Sequence, residues 1–399
     1  MKIYVINLML GFLFITSCID PYQINSKGEG KYLIVDGLVT NREGPYSVLL
    51  TYSTPRFSPI NEKVTNASVK IIDDTGEEHH LIYQNDGKYQ TNPDFRAKIG
   101  KSYRLLIEND SKRYESDLCL LREPSCIDNI SIQKKTKPGE YYKNDVLQLK
   151  VDASICSDKE TCLRWDVNED WKIHLRNPDY FYMVDDTTFG WHDDVIKECY
   201  KYDKIEGIVI KSFQNQAEKI VTDKLVASIS TYTSDRFFTR YRATINQYSI
   251  SPKEYSFWNR LKETSEEQED FFGKQPYSVY GNVKCIDNPE EQVLGYFQVA
   301  GVASREIYIG RGDISNLGLG VYSYEPCAVD TLFASDEYSI YEKYLLKIRS
   351  DEWVLSSGFY KEESLPPTLE LLGVVFIGAE CGKCSRNNAR VEPPMGWME

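Results

Sequence analysis

The chain has 399 residues with 47 Lys and Arg against 60 Asp and Glu, a formal net charge of −13. An acidic surface of this kind repels nucleic acid and anionic lipid, so no nucleic-acid partner is expected and no basic patch provides membrane attachment. At this length two or three domains are expected, each able to bury its own core.

The first element is a targeting segment. Lys2 gives a short positive start, Ile3 to Ile15 form an almost uncharged run, and Ile15-Thr16-Ser17-Cys18 resembles a lipobox. An apolar run this short falls below the roughly 20 residues that span a bilayer. Residues 1–17 are therefore read as a lipoprotein signal peptide and Cys18 as the acylated residue, several acyl chains giving stable anchoring where one is marginal. Residues 18–30 carry Pro, Ser and Gly without apolar periodicity and read as the lipid-anchored tether.

Alternation then begins. Leu33 to Val35, Ser47 to Tyr52, Ala67 to Ile72, His80 to Gln84, Tyr89 and Tyr103 to Glu108 read as short strands, with Asn85-Asp86-Gly87 a hairpin turn. The spacing predicts an immunoglobulin-like β-sandwich over residues 31–120. Residues 121–399 read as a larger β-rich domain with longer, more aromatic strands, among them Val293 to Val302 and a separate Glu306 to Gly310. One helix is inserted near 252–270: Ser251 is the cap, Pro252 suits the first helical position, and Glu254 completes a capping box. Tyr255, Trp258 and Leu261 are expected on its buried side. The predicted fold class is mainly β.

With Cys18 committed to lipid, nine cysteines remain, an odd number. Export permits disulfides. Cys381 and Cys384 are read as disulfide cysteines, linked to each other or to nearby thiols; a zinc knuckle and a redox pair are the alternatives, the latter lacking the strand-to-helix setting that lowers a thiolate pKa.

The densest chemical stretch is Asp179 to Asp194. Tyr182, Asp185, Asp186, Trp191, His192, Asp193 and Asp194 are the candidate ligand or partner contacts: the rings can stack on a sugar or peptide and the carboxylates accept hydrogen bonds or hold a hard cation. The bland alternative is a solvated loop. No Gly-x-Ser-x-Gly elbow and no His-Glu-x-x-His helix occurs, so no catalytic residue, metal site or cofactor is assigned.

The segment Tyr241 to Gly301 contains Gln247-Tyr248, Ser251-Pro252, Tyr255, Phe257-Trp258, Pro276, Tyr280-Gly281-Asn282, Pro289 and Leu294-Gly295-Tyr296-Phe297. With the lipobox, the Leu33-Ile34-Val35-Asp36-Gly37 opening and a tail holding Cys381, Cys384, Pro393 and Trp397, it resembles a Bacteroidota outer-membrane lipoprotein family known as domain of unknown function 4249. The resemblance implies a secreted, lipid-anchored, β-rich protein of the outer membrane, expected to face the cell surface, and it implies no catalytic residue, so no enzyme is expected. It further implies a TonB-dependent β-barrel transporter as partner, with capture or presentation of a nutrient as the role. A structural or assembly component of an outer-membrane complex is the second reading, and a secreted hydrolase the third.

Overall fold

The computed structural model describes residues 31–53, 62–136, 145–155, 160–213, 219–267, 279–321, 325–334, 339–363 and 368–398. The signal segment, Cys18, the tether, Cys156 and the expected helix end near 270 lie outside them.

The chain opens with β1 (Leu33–Thr40), β2 (Ser47–Tyr52), β3 (Glu62–Lys63), β4 (Ser68–Asp73), β5 (Glu78–Asn85), β6 (Lys88–Gln90), β7 (Ser102–Asn109), β8 (Lys112–Ser116) and β9 (Cys119–Leu120). The turn between β5 and β6 is the one expected: Asp86 and Gly87 both take positive φ (48° and 79°), the two-residue geometry that matches strand twist. β5 makes the corner of a sandwich, its first half pairing with β4 and its second with β6. The two layers close over Val35, Leu50, Ile71, Leu105 and Ile107, all fully buried. Period-two alternation in each strand supplies those residues to one side.

The next elements are β10 (Cys126–Thr136), β11 (Asp145–Ser154), β12 (Cys162–His174), β13 (Phe181–Met183), β14 (Phe189–Trp191), β15 (Glu198–Lys204), β16 (Val209–Lys211), β17 (Ile220–Ser230) and β18 (Arg240–Ile250). After β18 come a helix at Pro252–Glu267, β19 (Val283–Cys285) and β20 (Val293–Gly310). Leu163, Trp165 and Val167 of β12 and Tyr241, Ala243 and Ile245 of β18 point into a second core, which the β10-β11-β17 sheet covers with Leu147, Leu149 and Val151. The opposite face of β12 and β18 holds the helix, over a small core of Cys162, Tyr248, Ile250, Ala300 and Val302.

Two features differ from the sequence expectation. β20 is one strand of 18 residues: its polar Ser304-Arg305-Glu306 run, which reads as a break, stays paired to β18 as exposed ladder residues. The chain also crosses the expected boundary at 120. β19 pairs with β8, β1 runs parallel to the first half of β20, and Val283, Val293, Phe297 and Val299 complete the first core. One sheet path, β15-β12-β18-β20-β1-β2, therefore joins the two halves.

A third, smaller core lies toward the C-terminus, around β21 (Val329–Phe333), β22 (Trp353–Glu363), β23 (Thr368–Gly378) and a helix at Ile340–Arg349 that the sequence reading lacked. The β13-β14 hairpin adds Met183 to it. Cys381 and Cys384 are both bridged, though not to each other: Cys381 joins Cys327 and Cys384 joins Cys199. With each sulfur in its own bridge, the zinc and redox alternatives fall. Cys119, Cys162 and Cys285 are thiols, so the cysteines do not form mainly disulfides among the described residues.

Candidate functional site

The Asp179 to Asp194 stretch is a hairpin. β13 and β14 pair Phe181 with Trp191 and Tyr182 with Gly190, and the Tyr182 ring lies across Gly190 so closely that no Cβ fits there. Asp185 turns the chain: its Oδ1 accepts from the Thr187 and Thr188 amides at 2.9 and 2.8 Å and from the Thr187 hydroxyl at 3.1 Å, bonds that lower its carboxyl pKa. Asp186 Oδ1 accepts from the Tyr341 amide at 2.8 Å, at the start of the Ile340–Arg349 helix. Both carboxylates hold backbone: Asp185, followed two residues later by a Thr, closes its own turn, and Asp186 ties the hairpin to the helix start. The rings stay available. Trp191 is 67% exposed, 4.5 Å from the Phe181 ring, and His192 lies 5.2 Å from the Tyr182 ring with Asp179 at 3.8 Å. Asp193 and Asp194 are exposed beside them.

A second constellation, which the sequence reading missed, occupies the sheet face next to the long helix. Alternation places Arg164, Asp166 and Asn168 of β12 opposite to Trp165 and Val167, and strand register sets Arg164 against Tyr248 of β18. On the other side of β20, Gln298 stands against Leu38 of β1, with Ser47 and Leu49 of β2 and Lys88 of β6 beyond. With Asp36, Lys204 and Trp258 these residues line a cleft of about 490 Å³. An Arg and an Asp two residues apart, on the strand face opposite Trp165 and Val167, are the one local signal of it.

The polar groups in this cleft are incompletely matched. The Arg164 guanidinium is 8% exposed and lies against two rings, 4.2 Å from Tyr248 and 4.8 Å from Trp258. Its ion pair with Asp166 is long, at 3.6 Å, because that carboxylate is shared with Lys204 at 3.4 Å and with the Asn246 amide at 2.9 Å. Arg164 Nε and Gln298 Oε1 have no hydrogen-bond partner among the described residues. Burial raises the Asp36 carboxyl pKa, against the opposing pull of Lys204 and Arg164. Burial also pushes the Tyr248 hydroxyl to about 12, with the Asp166 charge adding to it.

Behind Trp258 sits Glu254, fully enclosed at the helix start. Its amide donates to the Ser251 hydroxyl at 3.1 Å, and its Oε1 accepts from Trp258 Nε1 at 3.3 Å. Burial pushes its carboxyl up to about 7 despite the nearby Arg164 and Arg122. Desolvation of an acid held among apolar walls outweighs cations that do not touch it.

The family signature read from Tyr248, Phe257, Trp258, Asn282 and Tyr296 now has a structural meaning, since these residues pack the long helix onto the sheet and seat the Asn282 amide on the Phe297 backbone at 2.9 Å in both directions. A family profile described as Domain of unknown function (DUF4249) matches residues 19–306. The chain belongs to the DUF4249 family. The DUF4249 stretch contains the first core, most of the second, the hairpin and every residue of the cleft, and it ends before the C-terminal strands of the third core and the tail with Pro393 and Trp397. No curated protein matches the chain.

Proposed function

We propose that this chain is a lipid-anchored accessory of a TonB-dependent outer-membrane β-barrel, which captures or presents a nutrient ligand without chemistry of its own. The observation that carries this reading is the hairpin: Trp191 stands out to solvent at the strand end opposite Phe181, on a hairpin whose turn Asp185 fixes and which Asp186 ties to a helix start. A large ring held rigidly in water suits a partner contact, because little side-chain entropy is lost when it docks. The lipobox ending at Cys18 supports attachment to a membrane through acyl chains.

Affinity capture of the chain from detergent-extracted native outer membranes tests it. A β-barrel should co-purify at fixed stoichiometry, and replacing Trp191 by Ala together with Asp193 by Asn should lower its recovery with little change in melting temperature. Cys18→Ala should release the protein from membranes under a salt wash. Recovery of no barrel, or turnover of peptide or glycan at enzymatic rates, overturns the reading.

A further inference from the structure

We propose that the cleft between β12 and β2 binds a short peptide with free termini, its C-terminal carboxylate held by Arg164 and Lys204 and its amino end by Asp36. The inference deepens the capture part of the functional reading and does not depend on the transporter.

The cleft carries charged groups of both signs. Arg164 and Lys204 share a single carboxylate, Asp166, at distances of 3.6 and 3.4 Å. A guanidinium satisfied by a carboxylate makes two parallel hydrogen bonds at about 2.7–2.9 Å. Arg164 falls short of that, and its Nε lacks any partner among the described residues while Tyr248 and Trp258 remove it from water. Arg164 therefore keeps an unmet donor beside the Lys204 ammonium, the pair of groups that an incoming carboxylate would use. Phosphate would meet the same cations, but Asp36 nearby opposes a second negative charge.

Asp36 makes no ion pair or hydrogen bond among the described residues, although Lys204 and Arg164 are near enough to pull on its charge, and Gln298, 6% exposed, leaves its Oε1 without a donor. Both are acceptors, suited to an ammonium or to peptide N–H groups. Leu38, Leu49 and the Trp258 ring also line the cleft and suit aliphatic side chains. Charges of both signs, amide-matching groups and apolar walls describe a zwitterionic peptide more closely than a neutral sugar, and the volume is in the range of small-molecule sites, about 300–1,000 Å³.

Calorimetric titration of the full-length protein in detergent with trialanine at neutral pH tests the site. Lys204 is exposed and Asp36 makes no hydrogen bond or ion pair among the described residues, so Asp36→Asn and Lys204→Gln, which nearly keep side-chain size, should fold as the parent does. Trialanine should bind at one site, and each variant should bind at least tenfold more weakly with an unchanged melting temperature. N-acetyl-trialanine amide, which lacks both terminal charges, should also bind at least tenfold more weakly. Absence of trialanine binding, equal binding by the two cleft variants, equal binding of the blocked peptide, or maltotriose binding that the two variants abolish would each overturn the proposal. Trialanine binding that follows the cleft variants without barrel recovery retains the site and removes the transporter partner. Barrel recovery without trialanine binding does the reverse.

Discussion

Glu254 stands three residues after Ser251, where an acid ordinarily reaches back to cap the helix or favours its dipole in water. In this fold it is enclosed beneath Trp258, and its folded pKa of about 7 lies above the unfolded value of 4.5. The folded protein then binds more protons than the unfolded chain between these values, so stability is fully present below pH 4.5 and is lost as pH rises toward 7. At about 1.4 kcal/mol per unit, the loss is at most about 3.5 kcal/mol. The groups facing this carboxyl are Arg164, Arg122 and the Trp258 indole, with Cys119 and Tyr296 near enough to feel its charge. Glu254→Gln keeps the indole acceptor and removes the titration. Urea melts at pH 5 and pH 8 should show wild-type stability falling between the two while Glu254→Gln holds steady and exceeds wild type at pH 8; parallel curves would place the pH response elsewhere.

The long helix shows which parts of an element are legible in sequence. Its start was readable because capping is local: Ser251, Pro252 and Glu254 supply every needed group within four residues. Its buried face was not. Spacing favours Tyr255, Trp258 and Leu261, yet Phe257 is the deeply buried ring, 5% exposed and 4.8 Å from Tyr296, while Tyr255 and Trp258 are half-buried along the edge beside Leu38. The helix leans on the sheet near β20, and one position of rotation follows from where Tyr296 stands, which lies about 40 residues away in the chain and outside any helical period. Phe257→Ala should cost about 3–5 kcal/mol, as for a fully buried ring. Trp258→Ala should cost less and should weaken cleft binding more than Phe257→Ala does. Chemical denaturation of the two variants beside trialanine titration checks the order, and a larger stability loss for Trp258→Ala would mean that the helix is rotated to bury Trp258 in place of Phe257.

At the scale of the molecule, local signals recovered the short strands and the Asn85-Asp86-Gly87 hairpin, and the features that join the units escaped them. The cleft gathers residues from positions 36 to 298 through the parallel β1-β20 pairing, which no spacing rule anticipates. The bridges are equally non-local: Cys327 and Cys381 are 54 residues apart and close the third unit on itself, whereas Cys199 and Cys384 are 185 residues apart and fix the tail to β15 at the edge of the main sheet. Beyond Cys384 the chain folds back over that sheet. Arg390 exchanges backbone bonds with Tyr200, Arg242 Nη1 donates to the Met395 carbonyl at 2.9 Å, and Trp397 lies between Tyr200 and Tyr308. Few buried apolar contacts hold the tail, so the second bridge is its main restraint. Closing a loop of that length is worth about 5 kcal/mol in the chain-entropy picture, and commonly less in practice. Replacing Cys199 and Cys384 together by Ala should therefore expose the chain after Gly382 to limited proteolysis and lower the melting temperature, while the first core, which neither bridge touches, keeps its hydrogen-exchange protection. Replacing Cys327 and Cys381 should instead loosen the third unit and leave the main sheet protected. Equal protection losses in both variants would mean that the three cores unfold as one cooperative body and that the bridges do not act separately.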